Sequence, residues 1–167
     1  MNKATITKKR AAIYLRTAND DQQGSGIAEQ EVQLRAFVAS NDYLVDKKHV
    51  YKDSGVSGLL PLEKRSGAKK LFEGAERHEF DLIIVKGVDR ISRGYHHFFE
   101  MLDKFSRLKV GIKAVDGSID TLTTSGKARA GLLTTMMTAM ARFENDALRE
   151  RLMRGKLAAK ERRPMNK

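Results

Sequence analysis

Four arginines, Arg16, Arg65, Arg90 and Arg93, stand close in the chain to two acids, Asp53 and Asp89, and two glutamines, Gln22 and Gln30. A guanidinium stays charged at any working pH and offers a planar fork of donors that matches phosphate oxygens. Transfer of a phosphoryl group needs cations on the non-bridging oxygens, a proton for the departing oxygen and an activated nucleophile. Arginines with a neighbouring carboxylate supply the first two without a metal ion. One arginine in a loop means little, so the weight of this reading rests on whether the chain brings the set together.

The elements that must do so can be read from apolar patterning. Ala11 to Leu15 is a short apolar run that delivers Arg16 to its carboxyl end, followed by a polar loop closed by Gln22. A helix is expected from about Ile27 to Ser40, with Ile27, Leu34, Phe37 and Val38 on one face. Gln30 takes a slot on that face and is expected half in water. A strand over His49 to Lys52 ends at the loop Asp53-Ser-Gly-Val-Ser57-Gly58, and Arg65-Ser-Gly67 opens a helix bearing Ala68, Leu71, Phe72 and Ala75. Phe80 to Val85 reads as a strand covered on both faces. A helix with Tyr95, Phe98, Leu102, Phe105 and Leu108 at three- and four-residue steps comes next, then a last strand over Val110 to Val115. Strands alternating with amphipathic helices imply an α/β fold, a mainly parallel sheet with helices on both faces. Ligands of such sheets bind outside the carboxyl ends of the strands, where Arg16, Asp53 and the Asp89-Arg90-Arg93 group all fall.

From Lys127 to about Arg163 the pattern is one long helix of about 55 Å, stopped by Pro164. Leu133, Met136, Met140, Phe143 and Ala147 form a seam, and the methionines suit either an interface that rearranges or a core helix that simply contains methionine. From residue 141 onward nine basic residues face four acidic ones, so the helix could lie along phosphates and release their counterions. The expected division is therefore an α/β domain over 1–126 and a long helix over 127–163 that suits an interface and a polyanion.

The 167 residues suit a single core, and the net charge of +11 makes a polyanion the simplest partner. With no cysteine there is neither a disulfide scaffold nor a Cys-based zinc site. No apolar run approaches a membrane span, and no signal-peptide segment follows the basic N-terminus, so no membrane partner and a cytoplasmic location are expected. Gly24-Ser-Gly26 lacks both the P-loop ending and the third glycine of a dinucleotide fingerprint.

The motifs resemble those of the serine recombinases, the resolvase, invertase and large serine integrase family. Tyr14-x-Arg16-x-Ala18 is similar to the family's Tyr-x-Arg-x-Ser. Asp53-Ser-Gly-Val-Ser57-Gly58 with Arg65 resembles its Asp-x-Gly-x-Ser-Gly…Arg segment, and Asp89-Arg90-Ile-Ser-Arg93 its most specific signature. Ile119-Asp120-Thr121 with Ser125-Gly126-Lys127 is similar to the approach to the family's long helix, and Ala141-Arg-Phe-Glu144…Arg149-Glu150-Arg151 to that helix itself. The resemblance runs from residue 11 to about 160, in the family's order, and the loop after Asp53 leans toward the large integrase branch.

The resemblance implies that Arg16, Arg65, Arg90 and Arg93 stabilise a scissile phosphate of double-stranded DNA. Asp89 would orient them or take part in proton transfer, Gln22 and Gln30 would line the site with Ser57 near it and Asp53 in support, and Tyr14 would buttress the nucleophile's strand end. The reaction it implies forms a phosphoserine link to the 5′ end at each cut, rotates half of a tetramer and religates with no cofactor. The long helix, with Glu144, Arg149, Glu150, Arg151 and Arg154, would make the homodimer and tetramer contacts and reach DNA.

Two departures from the pattern matter. Ala18 stands at the nucleophile position and has no hydroxyl, and Thr17 is expected to point to the opposite face of its strand. The family's separate DNA-reading region is expected to be absent after the long helix, which leaves a catalytic fragment, inactive as written. A deliberate Ser→Ala change and a naturally silent relative both account for Ala18. Two other functions stay open: a non-catalytic DNA-binding or assembly protein, and a Mg-dependent nuclease using Asp53, Asp89 and Asp116. The arginines beside Asp89 would compete with a bound cation and speak against the nuclease.

Overall fold

Ala11–Arg16 (β1) is buried along its whole length because it lies inside a sheet, with a strand on either side. In this computed structural model the described residues are 8–18, 25–92, 95–126, 128, 131, 132, 135, 136, 139, 142 and 149–154. The other elements are α1 (Ser25–Ser40), β2 (Val50–Asp53), α2 (Ser66–Glu76), β3 (Leu82–Val85), α3 (Val88–Ile91), α4 (Tyr95–Arg107) and β4 (Gly111–Ala114). The four strands form a sheet in the order β2-β1-β3-β4, and every neighbouring pair is parallel.

Alternation along β1 sorts the core into two halves. Ala11, Ile13 and Leu15 meet Leu34 and Val38 of α1 on one face, together with Leu82 and Ile84. Ala12 and Tyr14 face the other way, toward Ala68, Leu71 and Ala75 of α2 and Phe98, Leu102 and Phe105 of α4. Each Leu, Ile, Val or Phe side chain among these, taken fully out of water, contributes roughly 1.5–3 kcal/mol. The expected α/β architecture with helices on both faces is therefore the observed one.

The differences from expectation lie at element ends. His49 belongs to a 3-10 turn, Lys47–His49, and β2 runs one residue further, so that Asp53 closes the strand and pairs in register with Arg16. Phe80 and Asp81 precede β3, and Val110 and Val115 flank β4. Gln30 is buried at 5% exposure instead of half in water, because its Nε2 donates to the Gly26 carbonyl at 2.8 Å and faces the Arg16 carbonyl at 3.4 Å. Main-chain acceptors replace the water that the position would otherwise require.

α2 starts without a cap of its own, since Arg65 at its N-cap position gives no side-chain bond. The Asp53 carboxylate supplies one from the neighbouring strand, accepting from Gly67 N at 2.8 Å and Ala68 N at 2.9 Å. A negative charge at exposed helix amides is favourable on both hydrogen-bond and dipole grounds. The approach is so close that a Cβ at Gly67 would run into the Lys52 carbonyl.

β4 is an edge strand, and the chain folds back to cover it. Ala114 N donates to the Ile119 carbonyl at 2.8 Å, Thr121 N donates to the Ile112 carbonyl at 2.9 Å, and Lys113 pairs with Asp120 at 2.7 Å. That ion pair raises the lysine's pKa, and it lowers the carboxyl's against the opposing effect of burial.

The described residues from 124 to 154 are all helical, with Leu132, Met136, Leu152 and Met153 exposed. Leu133, Met140, Phe143, Glu144 and Ala147 lie outside the described residues. No helix among the described residues is long and apolar enough to cross a membrane.

Two predictions follow from the packing. Gly67→Ala should destabilise the fold by roughly 1–3 kcal/mol, because backbone must move to admit the methyl group; urea unfolding measures this. His49 sits among Tyr51, Phe80 and Glu79, with Nδ1 3.2 Å from the Tyr51 hydroxyl and 3.6 Å from Glu79. Burial, opposed by Glu79, holds its pKa below the usual histidine value. The unfolded chain therefore binds this proton more readily, so the stability is present above about pH 6.5 and is lost as pH falls below it. Melting temperature should drop from pH 7.5 to 5.5, and His49→Phe should flatten that part of the profile.

Candidate active site

The carboxyl ends of β1, β2 and β3 release three loops at one edge of the sheet, and two buried arginines hold those loops together. Arg16 leaves β1 fully buried. Its Nη1 donates to the Val56 carbonyl at 2.7 Å, its Nη2 to the Asp89 carbonyl at 2.8 Å and its Nε to the Arg90 carbonyl at 2.9 Å. Arg65, at 1% exposure, grips the same loops from the other side. Its Nε and Nη2 donate to the Leu60 carbonyl at 2.8 and 2.5 Å, Nη2 reaches the Gly58 carbonyl at 2.9 Å, and Nη1 donates to the Ile91 carbonyl. A planar fork of five donors can satisfy several carbonyls at once in a way that a lysine cannot.

Tyr14 links Arg65 to Asp53. Its hydroxyl donates to Asp53 at 2.9 Å and accepts from Arg65 at 3.5 Å. Burial raises the pKa of the hydroxyl, with the Arg65 hydrogen bond pulling the other way, so it remains a donor. Both Asp53 oxygens are occupied by Tyr14, Gly67 and Ala68.

Among the described residues, α3 carries the accessible charges of the edge. Asp89 is 54% exposed and Arg90 27%, with Arg90 Nε 3.4 Å from the Asp89 carboxylate. Among the described residues that Nε and the buried Gln30 Oε1 have no hydrogen-bond partner, while Arg90 Nη1 and Gln30 Nε2 both face the Arg16 carbonyl at 3.4 Å. Unsatisfied polar groups at the mouth of a charged edge have hydrogen-bonding capacity to spare.

Ala18 is half-buried in the bend after β1. Thr17 before it continues the sheet, with its N–H on the Asp53 carbonyl at 3.1 Å and its carbonyl accepting from Val56 N at 2.9 Å. Its hydroxyl accepts from Gly55 N at 3.4 Å.

The structure thus brings Tyr14, Arg16, Gln30, Asp53, Arg65, Asp89 and Arg90 into one network, partly through main-chain carbonyls. Ser57 is exposed in the adjoining loop, where its Oγ accepts from Leu59 N at 3.2 Å. Arg149, Glu150, Arg151 and Arg154 are exposed on helical residues 149–154, with Arg154 paired to Glu150 at 2.9 Å. Gln22, Arg93 and Glu144 lie outside the described residues. Among the described residues no group of three or more His, Cys, Asp or Glu is placed to hold a metal ion.

Sequence reasoning missed the supports of α3. Val88 N donates to Ser118 Oγ at 3.2 Å, and Asp116 crowds the space above Gly87 where a Cβ would stand. Asp116-Gly117-Ser118 carries an ordinary turn signal, but nothing in it says which helix the turn meets.

A family model described as the N-terminal domain of resolvase matches residues 11–163. The chain belongs to the resolvase family. A resolvase from Clostridium perfringens is 30% identical over 122 residues, which cover 72% of this chain and 61% of that protein. The Tn917 transposon resolvase of Enterococcus faecalis is 31% identical over 152 residues, 88% of this chain and 69% of the relative. A resolvase/recombinase of Pseudomonas putida is matched over 65% of its length, so the chain spans less than two thirds of this relative and of the C. perfringens one. Among solved structures, the N-terminal catalytic domain of TP901-1 integrase superposes with a TM-score of 0.70 at 27% identity, over 83% of this chain and 98% of that one. The edge described above is therefore the edge of a recombinase catalytic-domain fold.

Arg65→Lys should lower stability by roughly 2–4 kcal/mol, since one ammonium leaves several buried carbonyls without donors. Denaturant unfolding monitored by circular dichroism tests this, and an unchanged midpoint would remove Arg65 as the brace of the loops.

Proposed function

We propose that this chain is the catalytic part of a DNA site-specific serine recombinase and that Ala18 leaves it unable to cut. The observation that carries the reading is the position of Ala18, one bend beyond a buried strand whose Arg16 is tied to the Asp89-Arg90 segment. A serine there would place a hydroxyl beside the charged edge. In the restored reaction the serine hydroxyl gives up its proton as its oxygen bonds to phosphorus, the P–O3′ bond breaks, and the 3′ oxygen takes up a proton as it leaves. Arg90 and Arg93 meet the phosphate, while Arg16 and Arg65 add positive charge behind it and hold the loops in place. Asp89 orients the arginines or passes the proton, Gln22, Gln30 and Ser57 line the approach, and Tyr14 and Asp53 support the strand ends. Residues 1–126 form the catalytic domain, and 127–163 form the helix through which copies make a dimer, then a tetramer on DNA. Arg149, Arg151 and Arg154 lie along phosphates, with Glu144 and Glu150 in the same stretch of sequence. The setting is the cytoplasm.

The commitment of Asp53 to Tyr14 and α2 weighs against a three-carboxylate nuclease. The missing hydroxyl favours one further reading, a natural assembly protein that binds DNA without cutting it.

Loss of a covalent nucleophile costs roughly a million-fold in rate. Ala18→Ser, in the chain joined to a DNA-reading domain of known site, should therefore form a covalent protein–DNA adduct in EDTA where the parent forms none. Absence of any adduct on the cognate site, with the arginines intact and DNA bound, would refute position 18 as the nucleophile's. Should the parent bind DNA with affinity falling steeply in salt while the serine variant stays inert, the assembly reading takes its place.

A further inference from the structure

We propose that the turn Asp116–Ser118 sets the position of the Asp89-Arg90 segment, with Ser118 as a positioning residue for the chemistry at that edge. The inference rests on the recombinase reading above and deepens it. α3 has only four residues, and Gly87 at its N-cap gives no side-chain bond. A single turn has almost no internal hydrogen-bond ladder, so its placement depends on what grips it from outside. Its carbonyl side is gripped by the two buried arginines, Arg16 on Asp89 and Arg90 and Arg65 on Ile91. Its amide side is gripped by the turn, where Ser118 Oγ accepts the Val88 N–H at 3.2 Å.

The turn is itself anchored to the sheet. Val115 N donates to the Val85 carbonyl at 3.0 Å and Asp116 N to the Lys86 carbonyl at 3.1 Å, so it follows the end of β3 as far as α3. Asp116 then folds its Oδ1 onto Ser118 N at 2.9 Å. Its other oxygen occupies the space above Gly87, and Asp89 Oδ1 lies 3.0 Å from where a Gly87 Cβ would stand. Gly87 is thus the point at which the turn and the Asp89 side chain meet, and only a residue without a Cβ lets both in. Among the described residues Asp89 and Arg90 carry exposed charge at this edge, so a shift in α3 moves both at once.

Two measurements test this. Hydrogen exchange of the Val88 amide is read in the chain as it stands, and single-turnover adduct formation with DNA affinity is read in the Ala18→Ser form joined to its DNA-reading domain. Ser118→Ala should speed Val88 exchange by about five- to ten-fold, as expected for one lost hydrogen bond. It should slow the adduct by a similar factor while the Kd for DNA is unchanged, and Ser118→Thr, which keeps the hydroxyl, should restore both. Gly87→Ala should slow the adduct too, and adding Asp116→Ala should recover part of the loss. Unchanged Val88 exchange in Ser118→Ala overturns the proposal whatever the adduct assay gives. An unchanged adduct rate overturns it as well. If the Ala18→Ser parent makes no adduct while exchange responds as expected, the recombinase reading fails and the hold of Ser118 on α3 stands.

Discussion

A buried cation and a buried anion, Arg65 and Asp53, are joined through the hydroxyl of Tyr14, and much of the carboxyl edge of the sheet depends on that bridge. Isolated charges in an apolar interior are costly, and each of these is tolerated because the protein supplies its hydrogen bonds. Asp53 meets the first amides of α2, and Arg65 meets the carbonyls of the loops after β2 and α3. The two charges therefore do different mechanical work through one tyrosine. Asp53 fixes a helix to the sheet, and Arg65 fixes loops to that helix.

Arg16 repeats the pattern one strand position away, with Val56, Asp89 and Arg90 offering their carbonyls. The result divides the arginines of the edge by exposure. Arg16 and Arg65 are interior residues that shape the loops, whereas Arg90 is partly open to solvent beside Asp89. Positive charge behind a surface still attracts an anion in front of it, and it does so without being solvated away.

The architecture was legible in the sequence because it rests on short-range pattern. The apolar run at Leu82–Val85 is buried on both faces, and the spacing of Phe98, Leu102 and Phe105 marks the buried side of α4. The family resemblance was legible for the same reason, since each motif that carries it is a local string. What was not legible depends on partners remote in the chain. Gln30 looked like a boundary residue because its acceptor on β1 is invisible in the pattern of α1, and Asp53 looked like a loop acid because the helix that it caps begins thirteen residues later. Ser118 lies thirty residues from the amide that it serves. Position 18 is a different matter, for both its identity and its place in the Tyr14-x-Arg16-x-Ala18 motif are plain in the sequence.

The return of the chain over Ile112–Ala114 also governs how copies of this protein can meet. A bare edge strand is a template onto which another chain's strand can add, and here the Ile119 and Thr121 main chain already occupies those positions. Sheet-to-sheet fusion along β4 is closed off, which leaves association there to side-chain surfaces, whose fit can be loosened and re-formed without tearing a backbone ladder.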